Sequence, residues 1–304
     1  MEKYKEIEKI IDISKIKYNE PMKLHTSVKV GGKCDIFVSP ENVEDVINSV
    51  KFAKENNIEY FVIGCGSNLL VTDDDLHAMV IPLGNKFSKI DIDGEYVTAL
   101  SGTSMPYFAN FVKNNLLSGF EFACGIPGTI GGGVRMNAGA YGSEIANVFE
   151  EATFLDKDLN LCTIKKEDMD FSYRHTFFSD KKEYIIISAK FKLKKEENDI
   201  KIKEKMEENR VARVTKQPLE YPNFGSTFKR PEGYFVGKLI QDAGLKGYKI
   251  GGAQVSTKHT GFIVNVDNAT CKDIVDLIHY IQEVVYEKYG VKLETEVVYI
   301  GGKI

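Results

Sequence analysis

The segment GFEFACGIPGTIGGGVRMNAGAYG, residues 119–142, constrains the fold most strongly because its composition suits neither an ordinary helix nor an ordinary strand. It contains 8 of the 26 glycines in 24 residues, whereas even spacing along the 304 residues would place about two there. Glycine lets the backbone adopt conformations that other residues avoid and lets a second group approach the main chain closely. The segment therefore packs either against a cofactor or in a tight crossover inside a core, and the pattern alone does not separate these interpretations.

A second glycine segment, VIGCGSNLL at residues 62–70, follows a strand-like apolar run. Backbone amides at such a turn, with donors from Ser67 and Asn68, suit a pyrophosphate group. The segment is not a Rossmann fingerprint, because Leu69 stands where a third glycine is required. A glycine turn after a strand is most often only a turn, so the anion-binding interpretation needs further support.

The apolar periodicity indicates alternating helices and strands along the chain. Asp93-Gly94 is typical of a hairpin turn inside the run 86–102. The pattern predicts helices at 41–57, 104–116, 197–215, 235–243 and 271–289, and strands at 60–63, 80–82, 184–193, 261–266 and 297–300.

Composition excludes several classes of protein. The chain has 304 residues, of which 43% are hydrophobic, so it exceeds the usual size of one domain. Its net charge is -4 and no basic stripe is present, which argues against a nucleic-acid partner. No apolar run is long enough to span a bilayer, and residues 1–12 lack the apolar stretch of a secretion signal, so a cytoplasmic protein without a membrane partner is expected. The single cysteines 34, 65, 124, 162 and 271 lack zinc-ligand spacing, which predicts free thiols and no metal site.

Polar residues with catalytic potential occur in three short motifs. Arg174 lies beside an aromatic residue in DFSYRH, Ser226 lies between a glycine and two cations in GSTFKR, and Glu296 lies on a strand-like run in LETEV. Each also has a structural interpretation: a surface ion pair for the arginine, a helix N-cap for the serine, and a solvent-facing edge-strand position for the glutamate. For any one of these residues taken alone, the structural interpretation is favoured.

Six segments taken together, in this order, resemble the UDP-N-acetylenolpyruvoylglucosamine reductases over nearly the whole chain. They are TSVKVGGKCDIFVSP, GCGSNLLV, GFEFACGIPGTIGGGVRMNAGAYG, FSYRHTFF, the run from Lys216 to Ser256, and LETEVVYIG. The resemblance implies the α+β fold of the vanillyl-alcohol oxidase type: a two-part FAD-binding α/β domain (1–84 and 85–205) and a C-terminal α+β substrate domain (206–304). The stretch between Gly142 and Tyr173 looks too short for the extra tyrosine loop of one subclass, which implies the subclass lacking it.

The resemblance also implies a reaction and its cofactors. NADPH reduces non-covalently bound FAD, which then reduces UDP-N-acetylglucosamine enolpyruvate to UDP-N-acetylmuramate for peptidoglycan synthesis. By resemblance the catalytic residues are Arg174, Ser226 and Glu296. The residues implied for the cofactor are Gly64, Cys65, Gly66, Ser67, Asn68, Gly125, Ile126, Gly128, Thr129, Gly131, Asn137, Ala138 and Gly139. The residues implied for the substrate are Tyr173, Lys216, Lys229 and His259.

The residue types suit this chemistry. Charge grows on the substrate carboxylate, so the bidentate guanidinium of Arg174 is stabilising. A hydroxyl such as Ser226 can donate a proton to the neighbouring carbon when a cation such as Lys229 eases its ionisation. Glu296 either hydrogen-bonds the enol oxygens or orients Arg174. Two rivals remain, a flavin oxidase of the same superfamily and a non-catalytic UDP-sugar-binding module, and neither explains all three residues together.

Overall fold

The computed structural model describes residues 2–302, in which helices and strands alternate throughout. The α-helices of these residues are α1 (Glu2–Lys5), α2 (Val43–Glu55), α3 (Met105–Asn114), α4 (Ile130–Arg135), α5 (Ile145–Val148), α6 (Ile200–Lys216), α7 (Val236–Asp242) and α8 (Cys271–Tyr289). Short 3-10 helices lie at Glu6–Lys9, Ile13–Lys15, Met22–Leu24, Asn85–Phe87, Glu121–Ala123 and Lys166–Asp168.

The strands of the same residues are mostly short. They are β1 (Ile16–Pro21), β2 (Lys33–Val38), β3 (Glu59–Ile63), β4 (Leu69–Val71), β5 (Leu76–Pro82), β6 (Ile90–Asp93), β7 (Tyr96–Leu100), β8 (Leu117–Ser118), β9 (Gly139–Ala140), β10 (Ser143–Glu144), β11 (Phe149–Leu155), β12 (Leu161–Lys165), β13 (Ile185–Lys192), β14 (Lys194–Lys195), β15 (Lys249–Ile250), β16 (Ala253–Val255), β17 (Ile263–Asn265) and β18 (Val298–Ile300).

The largest sheet has five strands in the order β12-β11-β13-β7-β6, and its pairs are antiparallel. Gly94 has φ +61° at the turn between β6 and β7, which is where the sequence predicts a hairpin. A four-stranded sheet has the order β1-β2-β5-β3 and a three-stranded sheet has the order β15-β16-β17. Strands β10-β9 and β14-β8 form antiparallel pairs, and β18-β4 forms a parallel pair.

The chain divides into two compact units that interleave along the sequence. The first comprises the described residues of Met1–Lys17, Phe37–Cys65 and Met79–Arg213, and the second those of Tyr18–Ile36, Gly66–Ala78 and Val214–Ile304. Each has its own apolar core.

The core of the first unit is rich in phenylalanine. Phe108 of α3 packs edge-on against Phe120 with ring centroids 4.6 Å apart, and lies 5.2 Å from Phe191 of β13. Edge-to-face pairs of this kind add to the free energy gained from burial. The glycine-dense segment packs against this sheet and against α3, because α4 contacts β13 and β7 and the 3-10 helix Glu121–Ala123 contacts α3.

The core of the second unit is organised by α8. Its buried residues recur at helical spacing, and each fully buried aliphatic side chain contributes about 1.5–3 kcal/mol. Thr270 and Asp273 form a capping box at its start, and Gly290 ends it in the left-handed conformation with φ +66°. The buried residues of this helix are Cys271, Ile274, Leu277, Ile278, Ile281 and Val285.

The structure confirms the predicted helices and strands to within a few residues, and α8 has the predicted bounds. Two differences bear on the site. The glycine-dense segment contains the helix α4, although three of its six residues are glycine. Ser226 is not a helix N-cap, because α7 begins only at Val236 with Phe235 at the N-cap. In residues 2–302 no helix is both long enough and apolar enough to cross a membrane.

Candidate functional site

The glycine-dense segment is packed tightly against its own chain. A Cβ on Gly131 would lie 2.7 Å from Ser101 Cβ, and a Cβ on Gly133 would lie 2.7 Å from Met105 Sδ. A Cβ on Gly139 would lie 2.7 Å from Glu144 Cβ. Ser101 Cβ and Glu144 Cβ cannot move aside easily, so packing within the first unit is a sufficient reason for Gly131 and Gly139, whereas the flexible Met105 side chain could yield to a Cβ on Gly133. Part of the segment is therefore a tight crossover inside a core, which is compatible with a cofactor binding to the rest.

The start of α4 contacts the end of β3. Thr129 is the N-cap of α4, and its side chain accepts a hydrogen bond from Gly132 N at 3.4 Å. A Cβ on Gly64 would lie 2.5 Å from Thr129 Oγ1, so the first glycine segment approaches the second at this point. The residues just before this helix are half-buried, among them Gly125, Ile126 and Gly128.

The glycine turn that follows Cys65 is fixed within the second unit. Gly66 has φ +66°, and a Cβ there would lie 1.9 Å from His25 O, so only glycine fits. The amide of Asn68 donates to Glu296 O at 2.9 Å, and its Nδ2 has a second hydrogen for another acceptor. Cys65 is exposed and Ser67 is half-buried.

Arg174 lies at the tip of residues 169–184, called here the Arg174 loop. Ser172 and His175 exchange backbone hydrogen bonds of 3.2 and 3.1 Å across this tip. Arg174 has φ +56°, a conformation that costs free energy in a non-glycine residue and often marks a functional position. Its Nη2 donates to Gly139 O at 3.3 Å, and its guanidinium carbon lies 5.1 Å from the ring centre of the exposed Tyr173.

Asn137 joins the glycine-dense segment to this loop. Its fully buried amide donates to Ser172 O at 3.0 Å and accepts from Ala146 N at 3.0 Å. The side chain of Asn137 is thus engaged with the protein on both sides, and Ala138 beside it is buried. The segment predicted to contact the cofactor is therefore hydrogen-bonded to the loop that carries Arg174.

Ser226 and Glu296 lie on neighbouring backbone segments of the second unit. Glu296 N donates to Thr227 O at 2.9 Å, and Lys229 N donates to Glu294 O at 2.8 Å. Ser226 is exposed and Glu296 is half-buried. The turn before the serine is shaped by Gly225 with φ +84°, whose N–H donates to Asn223 Oδ1 at 2.9 Å.

His259 lies on a loop paired with the same segment, since Thr227 N donates to Gly261 O at 3.0 Å. Gly261 N donates to His259 Nδ1 at 3.2 Å, so this ring nitrogen is the acceptor and the neutral ring carries its proton on Nε2. Burial lowers the pKa of His259, which favours the neutral ring. His259 is therefore a neutral ring with an N–H donor, on the loop whose Gly261 pairs with Thr227.

The two predicted substrate-binding lysines differ in their surroundings. Lys229 is half-buried, and its Nζ lies 3.5 Å from Glu294 Oε2. Lys216 is the exposed last residue of α6. Within residues 2–302 no cluster of histidine, cysteine and acidic residues is suited to a metal ion, and all five cysteines are unpaired.

Arg213 is a candidate site residue that the sequence analysis did not identify. A Cβ on Gly125 would lie 2.9 Å from Arg213 Cδ, so the half-buried side chain lies against the glycine-dense segment. Burial lowers the pKa of Arg213, and no ion pair to it is found among the described residues. The helix α6 is anchored here by Asn209, whose amide donates to Glu121 O at 3.0 Å. A half-buried cation without a carboxylate partner suits an anionic ligand.

Ser101 was also missed. Its hydroxyl is buried beside Gly131 and is the one buried side-chain group among residues 2–302 without a hydrogen-bond partner. Arg213 was not predicted because it lies among the many charged residues of α6, which read as a solvent-exposed face. No feature of the local sequence distinguishes Ser101 from other serines. The hydroxyl and guanidinium donors of Ser101 and Arg213 suit the phosphates and carbonyls of a flavin nucleotide, so these residues of the first unit fit such a group.

Comparison with protein families gives two matches. Residues 34–164 match the FAD binding domain, and residues 217–300 match the C-terminal domain of UDP-N-acetylenolpyruvoylglucosamine reductase. The chain is 46% identical over 297 residues to the UDP-N-acetylenolpyruvoylglucosamine reductase of Caldanaerobacter subterraneus subsp. tengcongensis, covering 98% of this chain and 97% of that protein. It is 47% identical to the enzyme of that name from Clostridium perfringens strain SM101, covering 99% and 98%.

Solved structures agree. The crystal structure of the Thermus caldophilus UDP-N-acetylenolpyruvylglucosamine reductase superimposes with a TM-score of 0.80 at 31% identity, covering 94% of this chain and 98% of that one. The glucose dehydrogenase Phl p 4.0202 shares the fold alone, with a TM-score of 0.50 at 16% identity over 64% of this chain and 44% of that one. The fold is α+β, with a FAD-binding domain and a C-terminal domain. The chain belongs to the UDP-N-acetylenolpyruvoylglucosamine reductase family.

Proposed function

We propose that this protein reduces UDP-N-acetylglucosamine enolpyruvate to UDP-N-acetylmuramate with NADPH, through FAD, as a step of peptidoglycan precursor synthesis. The family supports the reaction. One structural observation carries the proposal for this chain: the Ser226 and Glu296 segments are hydrogen-bonded side by side within the second unit. A protein that only binds UDP-sugars has no need of that pairing.

The proposed FAD site uses the two glycine segments. FAD, when bound, supplies a carrier that accepts a hydride from NADPH and passes it to the enolpyruvyl methylene carbon. The main chain at Gly64, Cys65 and Gly66, with Ser67 and Asn68, donates to the pyrophosphate. We add two residues to this site. The Arg213 guanidinium is half-buried without a carboxylate partner, and the buried Ser101 hydroxyl has no hydrogen-bond partner among the described residues. The residues proposed to lie along the cofactor are Gly125, Ile126, Gly128, Thr129, Gly131, Asn137, Ala138 and Gly139.

Three residues are proposed to act on the enolpyruvyl group. Arg174 binds its carboxylate with two N–H groups and so stabilises the negative charge that grows there during reduction. Ser226 donates a proton to the carbon beside that carboxylate. Glu296 hydrogen-bonds the same group or orients Arg174. Tyr173, Lys216, Lys229 and the neutral donor of His259 are proposed to bind the rest of the substrate.

The remaining proposals concern organisation and cellular role. We propose the division 1–84, 85–205 and 206–304 into two parts of a FAD-binding domain and a substrate domain. We place the reaction in the cytoplasm, and we expect depletion of the protein to disturb cell shape and division, because the wall precursor runs short.

Product analysis tests the reaction. Purified protein, NADPH and UDP-N-acetylglucosamine enolpyruvate should yield a product heavier by two hydrogen atoms, measured by mass spectrometry, with NADPH consumed in equal amount. NADPH consumption without that product would refute the proposal.

The FAD is proposed to be held without a covalent bond, since Cys65 lies in the proposed phosphate turn rather than beside the ring. Acid precipitation should release all of the yellow colour into the supernatant. Colour that stays in the protein pellet would contradict this.

A further inference from the structure

The base of the Arg174 loop is attached to one residue, Arg135, at the C-terminal end of α4. Its Nη1 donates to Phe178 O at 2.6 Å, and its Nη2 donates to Tyr184 O. Its own carbonyl accepts from Thr176 Oγ1 at 2.8 Å and from Ser179 Oγ at 3.4 Å. Arg135 thus holds the loop by four hydrogen bonds, two from its side chain and two to its backbone.

These contacts are strong and specific to arginine. Burial lowers the pKa of Arg135 to about 10, so the guanidinium remains charged at neutral pH. It lies 6.0 Å from the ring centre of Phe178, which lines the same loop. A planar fork can donate to two carbonyl groups at once, whereas the single ammonium of lysine cannot reproduce that geometry.

The same loop needs support because its tip is strained. Arg174 has φ +56° and Asp170 has φ +48°, both costly for residues other than glycine. Such conformations persist only where the surroundings fix them. Thr176, two residues beyond Arg174, is completely buried and is bonded to Arg135, so the base of the loop is rigid where the tip begins.

We infer that Arg135 is a positioning residue for Arg174. The helix α4 has its N-cap at Thr129, in the proposed FAD site, and ends at Arg135, so one short helix sets the place of the substrate-carboxylate arginine relative to the flavin-binding segment. Arg135 does not touch the substrate, and it acts by holding the Arg174 loop. This inference rests on the proposed function.

The test uses the FAD-loaded protein and separates the two half-reactions by stopped flow. Arg135→Lys should leave flavin reduction by NADPH within about twofold of the unmodified protein. Reoxidation by UDP-N-acetylglucosamine enolpyruvate should slow on the order of 10²-fold, the effect of a misplacement of about 1 Å. Arg210→Lys, the same change at an exposed position of α6, is the control and should alter neither half-reaction.

A double-mutant cycle shows whether Arg135 acts through Arg174. In the Arg174→Lys background the fork is already lost, so adding Arg135→Lys should slow reoxidation by less than about threefold. Slowing by the full factor in that background would overturn the inference, as would equal slowing of both half-reactions or of neither.

A milder variant covers the case in which Arg135→Lys does not fold. Thr176→Val removes the bond to Arg135 O with nearly the same shape, and it should slow reoxidation selectively, though less. An unselective effect would overturn the inference. Failure of the unmodified protein to be reoxidised by the UDP-sugar would instead refute the proposed function, before any variant is compared.

Discussion

At the scale of single residues, replacing Ser226 should affect one half-reaction and not the other. Flavin reduction by NADPH needs no proton from the protein to the sugar, so Ser226→Ala should leave that half-reaction nearly unchanged. Reoxidation by the UDP-sugar loses its proton donor and should slow by about 10²- to 10⁴-fold. Stopped-flow absorbance of the flavin measures both rates.

The structure removes the competing explanation for that variant. Ser226 is exposed and caps no helix, so its replacement should change the free energy of unfolding by no more than about 0.5 kcal/mol. Ser14→Ala, at another exposed serine, is the control. Slowing of both half-reactions together would show that Ser226 is not the proton donor.

Arg213 allows a matched comparison on one helix. Arg213→Met removes the half-buried cation beside Gly125 and should weaken FAD binding by about tenfold or more, the contribution of a hydrogen bond to a charged group. Arg210→Met removes an exposed cation that is paired with Glu207, and FAD affinity should not change. Titration of the flavin-free protein with FAD, followed by flavin fluorescence, gives both dissociation constants. Equal affinities in the two variants would remove Arg213 from the site.

At the scale of elements, α4 contains two adjacent glycines, Gly131 and Gly132, whose replacement by alanine should have opposite effects on stability. A Cβ on Gly131 meets Ser101 Cβ at 2.7 Å, whereas the nearest atom to a Cβ on Gly132 is Thr129 Oγ1 at 3.5 Å, an ordinary contact. Gly132→Ala should therefore be neutral or stabilising by up to about 1 kcal/mol, since alanine is the better helix former. Gly131→Ala should lower the melting temperature and the fraction of protein that retains FAD.

Calorimetry of the two variants, with the flavin content of each, measures this difference. A Gly131→Ala protein as stable and as yellow as the Gly132→Ala protein would contradict the packing described for α4.

Sequence periodicity predicted the long elements because their apolar spacing is strong. The helix α8 has its predicted bounds, with a capping threonine at one end and a glycine at the other. It did not predict α4, since three glycines in six residues oppose helix formation, and the close packing of Gly131 against Ser101 becomes visible only in the structure. Local propensity is overridden there by contacts that the local sequence does not contain.

At the scale of the whole molecule, the order of six motifs sufficed to predict the family, which the comparisons confirm. The sequence did not reveal the hydrogen bonds that organise the site. Asn68 bonds to Glu296 across 228 residues, and Arg135 bonds to Tyr184 across 49. Such pairings depend on the complete fold, so Arg135, Arg213 and Ser101 became visible only in the structure.

The central claim is that electrons pass from NADPH to FAD and then to the enolpyruvyl group. An anaerobic double-mixing experiment tests it most directly. FAD-loaded protein is mixed first with a stoichiometric amount of NADPH, and its flavin absorbance should disappear. It is then mixed with UDP-N-acetylglucosamine enolpyruvate in the absence of oxygen, and the absorbance should return in full. Two results would contradict the account. One is that NADPH does not bleach the flavin, and the other is that the colour returns only when oxygen is admitted, as for an oxidase.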